Sequence, residues 1–214
     1  MESKEIIKLL LPLLLIPLTL YGVNAFGQNA GNIIIGISFF IAIVKFAEQK
    51  ERRFMIVLAV FAAIFESVNV ASGAYAYTGT KLVPIWIGLG WGIIGIYLVK
   101  NLKTLEKIDE KITYALTVIL YLIVWGIGGF SATELMFVIF GIATVYVLSL
   151  SSKFPAAFFF YTCLIGMIIE FFGTTLGAWK YFDPSGGVIQ APLASLGLAY
   201  ASVIGFCLWI SKLE

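Results

Sequence analysis

The sequence predicts an all-α integral membrane protein of eight transmembrane helices, arranged as a 4+4 tandem repeat of parallel orientation with both termini in the cytoplasm. Three observations lead there. The 214-residue chain is 61% apolar and 12% charged with a mean hydropathy of +1.01, so its solvent is lipid. A motif built on a glutamate inside an apolar run occurs twice, 104 residues apart. Lys and Arg collect on one set of loops, which orients the spans.

The predicted spans are residues 6–26, 30–47, 54–77, 82–99, 112–130, 133–150, 155–179 and 188–211. Each is a mostly apolar run long enough to cross about 30 Å as a helix, and β-barrel alternation is absent. The first is read as a retained span rather than a signal peptide, because it carries acidic as well as basic residues at its start and matches a later helix. Pro12 and Pro17 should bend it, as a matter of packing geometry. Loops on one side, with the two termini, carry Lys4, Lys8, Lys45, Lys50, Arg52, Arg53, Lys100, Lys103, Lys107, Lys111, Lys153 and Lys212. The opposite side carries only Lys81 and Lys180. A multi-pass protein of the cell membrane with an even number of spans and cytoplasmic termini satisfies this bias.

The repeat extends beyond the glutamate motif. Tyr21, Gly22 and Phe26 correspond to Trp125, Gly126 and Phe130, and Pro84 corresponds to Pro192. Residues 1–99 thus form a first four-helix repeat and 112–214 a second, joined by a basic cytoplasmic linker over 100–111. Four being even, both halves point the same way, and their pseudo-twofold axis should run along the membrane normal.

Composition excludes several chemistries. There is no His, which removes His-ligated metals and every His-based acid–base or nucleophile arrangement. No Asp-rich cluster for magnesium on a diphosphate is present. No metal and no cofactor are expected. Cys163 and Cys207 are read as small buried apolar residues. The expected partners are the bilayer and a lipid or isoprenoid small molecule, with no nucleic acid; oligomeric state is left open.

The residues able to carry chemistry centre on Glu66 and Glu170, the candidate catalytic pair. A carboxyl inside an apolar run is costly, and repeated cost marks a site. Counting from Phe54 places Glu66 about 18 Å into its helix, and counting from Pro155 places Glu170 about 22 Å along, both in the outer half of the bilayer. Residues three and seven positions on share the helix face: Asn69 and Gly73 after Glu66, Gly173 and Gly177 after Glu170. The glycines would let a helix or ligand approach closely, whether as simple packing contacts or as part of a site. Tyr75, Tyr77, Trp179 and Tyr181 fall at the outer interface, where an aromatic belt is the plain alternative to substrate binding. Trp86 and Trp91 begin at the same level on the fourth span and complete the candidate substrate-binding set. The counterparts on the last span are softer: Pro192, Ser195, Gly197 and Tyr200. Glu134 is read as capping its helix.

A Glu, a Gly, an aromatic-x-Tyr pair, a short loop, Val-Pro and a Trp seven residues after the Pro resemble the archaeal and bacterial carotenoid-biosynthesis membrane proteins. Here these are Glu66, Gly73, Tyr75, Tyr77, Val83, Pro84 and Trp91, echoed by Glu170, Gly177, Trp179, Tyr181 and Pro192. That family includes carotenoid hydratases, which add water to terminal double bonds of long polyenes. The chain departs from it in being short and in lacking a Pro-Phe-Gly before the first Tyr pair. The resemblance implies hydratase- or cyclase-like acid chemistry on a C=C bond. A desolvated carboxyl held in its neutral form would be the acid, and Tyr and Trp faces would stabilise the cation. Two other classes stand beside it: a small secondary transporter or channel binding a proton, cation or amine on paired glutamates, and a non-catalytic assembly factor whose repeat serves packing.

Overall fold

The computed structural model describes residues 3–213; of residues 3–6, 8, 11, 12 and 14 only the backbone is described, so the side chains of Lys4, Lys8 and Pro12 lie outside the described residues. Helices occupy all eight predicted intervals. In chain order they are α1 (Ser3–Phe26), α2 (Gln28–Ile41, continued as a π-helical turn over Ala42–Phe46), α3 (Gln49–Ala71) and α4 (Ile85–Lys100). A short α5 (Leu102–Leu105) follows, then α6 (Glu110–Ile127), α7 (Ala132–Ser151), α8 (Ala156–Thr175) and α9 (Leu193–Ser211). Six of these segments, α2 with its π turn, α3 and α6 to α9, are long and apolar enough to cross a membrane. Large apolar side chains such as Ile33, Ile37, Phe40, Ile139, Phe140 and Val147 face outward, as a lipid solvent permits. The chain is a multi-pass membrane protein.

Helix starts follow local chemistry. Glu48 and Glu51 form a capping box on α3, Asp109 accepts from the Ile112 N–H on α6, and Ser131 accepts from the Glu134 N–H on α7. Ser131, not Glu134, is therefore the cap of α7; Glu134 sits in the first turn with its Oε2 buried and unpartnered. Pro84, Pro155 and Pro192 precede α4, α8 and α9. The helix α1 runs unbroken through both its prolines. Part of the expected linker is α5, whose Thr104 and Leu105 are buried.

One expectation fails at the end of the molecule that carries the glutamates. The chain is not all-α. Spans predicted to run to residues 77 and 179 stop at Ala71 and Thr175, and each is followed by a strand. The cause is the same glycine in each copy. Gly73 and Gly177 adopt φ of 81° and 75°, and the next amide reaches back to the helix, Ala74 N to Asn69 O at 3.1 Å and Ala178 N to Gly173 O at 2.8 Å. This left-handed stop satisfies the orphan carbonyls of the last turn. The strands β1 (Tyr75–Tyr77), β2 (Trp179–Phe182) and β3 (Val188–Ile189) form an antiparallel sheet in that order. The register pairs Tyr75 with Tyr181, Ala76 with Lys180 and Tyr77 with Trp179. Period-two alternation leaves Ala76 and Lys180 exposed and turns Tyr75, Tyr77, Trp179 and Tyr181 inward.

Beneath the sheet, α3 and α4 pack through glycines. A Cβ on Gly88 would meet the Ala59 carbonyl, on Gly92 the Met55 carbonyl and Phe39, and on Gly95 Leu58 and Phe54. The core below the glutamates is apolar and fully buried, with Phe54, Leu58 and Ala62 on α3 and Phe158, Phe159 and Cys163 on α8.

Candidate functional site

Glu66 and Glu170 come from different helices, α3 and α8, and line one small cavity of about 50 Å³. Both are buried, at 7% and 5% exposure. Among the described residues no Lys or Arg pairs with either; the ion pair of Lys100 with Glu51 is formed at the other end of α3 and α4. Aromatic donors take the place of a counter-ion. Glu66 accepts from the Tyr77 hydroxyl at 3.0 Å and from the Trp91 indole N–H at 3.3 Å. Glu170 accepts from the Trp179 N–H at 2.9 Å, the Tyr181 hydroxyl at 2.7 Å and the Tyr200 hydroxyl at 3.3 Å. All are Tyr or Trp, groups whose apolar ring can be buried while one polar atom reaches a partner.

The strands deliver these donors. After the glycine stop the chain folds back over its own helix, so residue i+11 returns to the glutamate at i in both copies. The sheet then joins the copies, placing Tyr77 beside Trp179 with ring centroids 5.8 Å apart and Tyr75 against Tyr181 at 5.1 Å. A second contact closes the site from the helices: Trp91 of α4 stacks on Tyr200 of α9 at 4.1 Å and 19°.

The sequence-predicted residues divide into three groups. Glu66, Tyr77, Trp86, Trp91, Glu170 and Trp179 line the cavity, and Tyr181 bonds Glu170 from its edge. Tyr75, Gly73, Gly173 and Gly177 build the site without lining it. Gly173 in particular makes room for the Trp179 ring, which a Cβ there would strike. Asn69, at the equivalent position of the first copy, bonds the Phe65 carbonyl of its own helix at 3.0 Å and contributes nothing to the cavity. The close approach expected at Gly73 and Gly177 is also absent: nothing lies within 4 Å of a Cβ at either, and their role is the turn. Tyr75, Tyr77, Trp179 and Tyr181 are 3–6% exposed, which an interface belt would not be.

Tyr200 completes the donor set, although in the sequence it is only a soft counterpart of Trp91. Gly90, Ile94 and Ile169 also line the cavity and have no sequence signal of their own. Trp86 joins the cavity to its surroundings. Its indole N–H bonds Gln28 Oε1 at 2.8 Å and its backbone N–H bonds Asn32 Oδ1 at 3.0 Å. Gln28 and Asn32 line a larger polar cavity of about 550 Å³ at the sheet end, together with Asn24, Asn29, Thr78 and Thr80. On another side, Trp86, Gly90, Ile94 and Ile169 are shared with an apolar slot of about 350 Å³ between α1, α2, α4 and α8.

Among known proteins, a family described as a protein of unknown function, DUF2878, matches residues 23–118, less than half of the chain. That segment holds Glu66, Tyr77, Trp86 and Trp91 and stops short of the second copy of the motif. No curated protein and no solved structure matches the chain.

Proposed function

We propose that the protein is a membrane-embedded enzyme that protonates a carbon–carbon double bond of an isoprenoid or carotenoid lipid, in the manner of the carotenoid hydratases it resembles. One observation carries the reading: the cavity holding both carboxyls shares four residues with an apolar slot, and Trp86 in its wall bonds Gln28 and Asn32 of a polar cavity. An apolar substrate and water would thus reach the acid from different sides. In this reading all eight helices cross the bilayer, the two repeats meet across a pseudo-twofold axis at the sheet, and the sheet end faces outward. The β1–β2 register supports that axis, because Tyr75 and Trp179 are equivalent by repeat and each lies opposite the other copy's Tyr.

The step is an acid-catalysed hydration. One carboxyl of the pair delivers its proton to the less substituted carbon of the alkene, leaving a tertiary carbocation and a carboxylate. The faces of Trp86 and Trp91 and the negative charge left on the pair stabilise the cation. Water from the polar side adds to it and loses a proton to the carboxylate, so one water is consumed and the acid is restored. Two carboxyls away from water repel when both are charged, which suits a pair holding one proton between them.

A transporter reading is favoured by one observation, the polar cavity above Trp86, which would be its outer vestibule. Against it, among the described residues the other side of α3 and α8 buries mainly apolar groups such as Phe54, Met55, Leu58, Phe158 and Phe159, and the hydroxyl of the buried Thr162 is spent on the Phe158 carbonyl of its own helix. The test uses purified protein in vesicles with polyprenyl and carotenoid alkenes in heavy-oxygen water. Label should enter the product as a hydroxyl, and Glu66→Gln or Glu170→Gln should abolish it. Unlabelled substrate, together with a proton or amine flux that the same substitutions stop, would replace the enzyme with the transporter.

A further inference from the structure

Four glycines lie along α4, and three of them are explained by packing. Gly88, Gly92 and Gly95 each face α3 or Phe39, where a Cβ has no room. Gly90 is different. Nothing lies within 4 Å of a Cβ built there. An unforced glycine inside a helix destabilises it by about 1 kcal/mol relative to Ala. Gly90 lines both the carboxyl cavity and the apolar slot, so what its missing side chain leaves open is the passage between them.

The slot has a defined shape and chemistry. Along α4 it extends from Trp86 to Tyr97, about 16 Å at the helical rise. Its volume of about 350 Å³ is at the lower end of small-molecule sites. Leu15 and Ser38 on its rim are exposed, so it reaches the lipid-facing surface. Two of its polar residues are spent on their own helices: Thr19 donates to the Leu15 carbonyl at 2.9 Å and Ser38 to the Ile34 carbonyl at 2.8 Å. A ligand lying along this stretch meets hydrocarbon, and its reactive end meets two carboxyls.

Resting on the hydration reading, we infer that the slot binds one linear polyprenyl chain end-on, with its terminal alkene at Glu66 and Glu170, and that Gly90 is the threshold residue that admits it. A methyl-branched terminus is the form of hydrocarbon that gives a tertiary cation on protonation, which a saturated acyl chain cannot do. Gly90 determines specificity by its size and takes no part in the chemistry.

The test is photolabelling of the full chain in phosphatidylcholine nanodiscs. The probe is a geranylgeraniol analogue carrying a diazirine at the end remote from its hydroxyl, with a terminally tagged palmitate analogue in parallel. The prenyl probe should label peptides containing Trp86, Ile94 or Ile169. Gly90→Leu, whose Cβ would meet nothing within 4 Å, should lower that labelling at least about tenfold, the equivalent of 1.4 kcal/mol. Gly22→Leu, another helical glycine with nothing within 4 Å and outside both cavities, should leave it intact. Undiminished labelling in Gly90→Leu, or equal labelling of the same residues by palmitate, overturns the inference. The two proposals fail separately. Labelling blocked by Gly90→Leu with no hydration of any prenyl substrate keeps the slot and removes the reaction, whereas hydration unaffected by Gly90→Leu keeps the reaction and removes the slot.

Discussion

Replacing Tyr181 by Phe removes one O–H donor from Glu170 and leaves the ring in place. The bond is the shortest of the five that hold the two glutamates, at 2.7 Å. Hydrogen bonds to charged groups contribute about 1.5–3 kcal/mol in soluble proteins. Side-chain hydrogen bonds between membrane helices average about 0.6 kcal/mol and reach about 1.7. Glu170 would keep Trp179 and Tyr200 as donors, so it is weakened and not orphaned. The two ranges overlap near 1.5 kcal/mol, which for a chain of this size lowers Tm by about 3–6 °C. Tyr75→Phe is the control, since the Tyr75 hydroxyl bonds neither glutamate, and it should stay within about 0.5 kcal/mol. Thermal unfolding in nanodiscs reads both, and a double-mutant cycle of Tyr181→Phe with Glu170→Gln should return a coupling of about 1 kcal/mol. Equal effects of the two Tyr→Phe changes, or a coupling of zero, would refute the claim that aromatic donors hold the carboxyls.

Gly173→Val should displace the Trp179 ring, shifting its fluorescence and destabilising by about 1–3 kcal/mol, whereas Asn69→Ala at the equivalent position should do neither. Gly73→Ala and Gly177→Ala meet no atoms but force a left-handed residue, so each should lower stability by about 1–2 kcal/mol in the same assay. Asp183, in the β2–β3 turn, accepts from Ser185 and from the Gly187 amide, which hold its carboxyl below its ordinary value. Its contribution to the turn is therefore complete above the ordinary value and lost as pH falls through the lowered one; the Ser185 and Gly187 amide resonances should move together on acidification, and Asp183→Asn should remove that titration.

Much of this arrangement was legible because membranes make certain residues expensive. An uncompensated Glu in an apolar run stands out, and its recurrence at 104 residues tied Glu66 to Glu170 before any contact was known. Helix ends were harder. Ala74 to Tyr77 carries no charge to mark an end, so the predicted span runs on through Gly73. The signal that helix gives way to strand is the aromatic alternation after the glycine, Tyr75 and Tyr77 in one copy and Trp179 and Tyr181 in the other, a period of two in place of 3.6. The interface-belt alternative for those rings rests on the same continued helix, which would carry them away from the glutamate instead of folding them back. Tyr200 was masked by the divergence of the repeat, which put Tyr where alignment gives Trp91 a neighbour of either Ala199 or Tyr200. Gly90 was invisible for a different reason: among Gly88, Gly92 and Gly95 it looks like one more packing contact, and only the atoms around it distinguish a glycine that is crowded from one that faces open space.

The two copies of the motif meet edge to edge over one pair of carboxyls. Ala76 and Lys180 lie directly opposite in the β1–β2 ladder and are both exposed, so cysteines there test the meeting without touching the glutamates. Opposed Cα atoms in an antiparallel pair are about 4.5–5.5 Å apart, inside the range a disulfide spans. With Cys163 and Cys207 changed to Ala, the Ala76→Cys, Lys180→Cys protein should form an intramolecular disulfide under mild oxidation in the membrane, seen as a mobility shift reversed by reductant. Thiols that stay free, or that link only between separate chains, would mean the two motifs do not share a sheet and the two glutamates do not share a site.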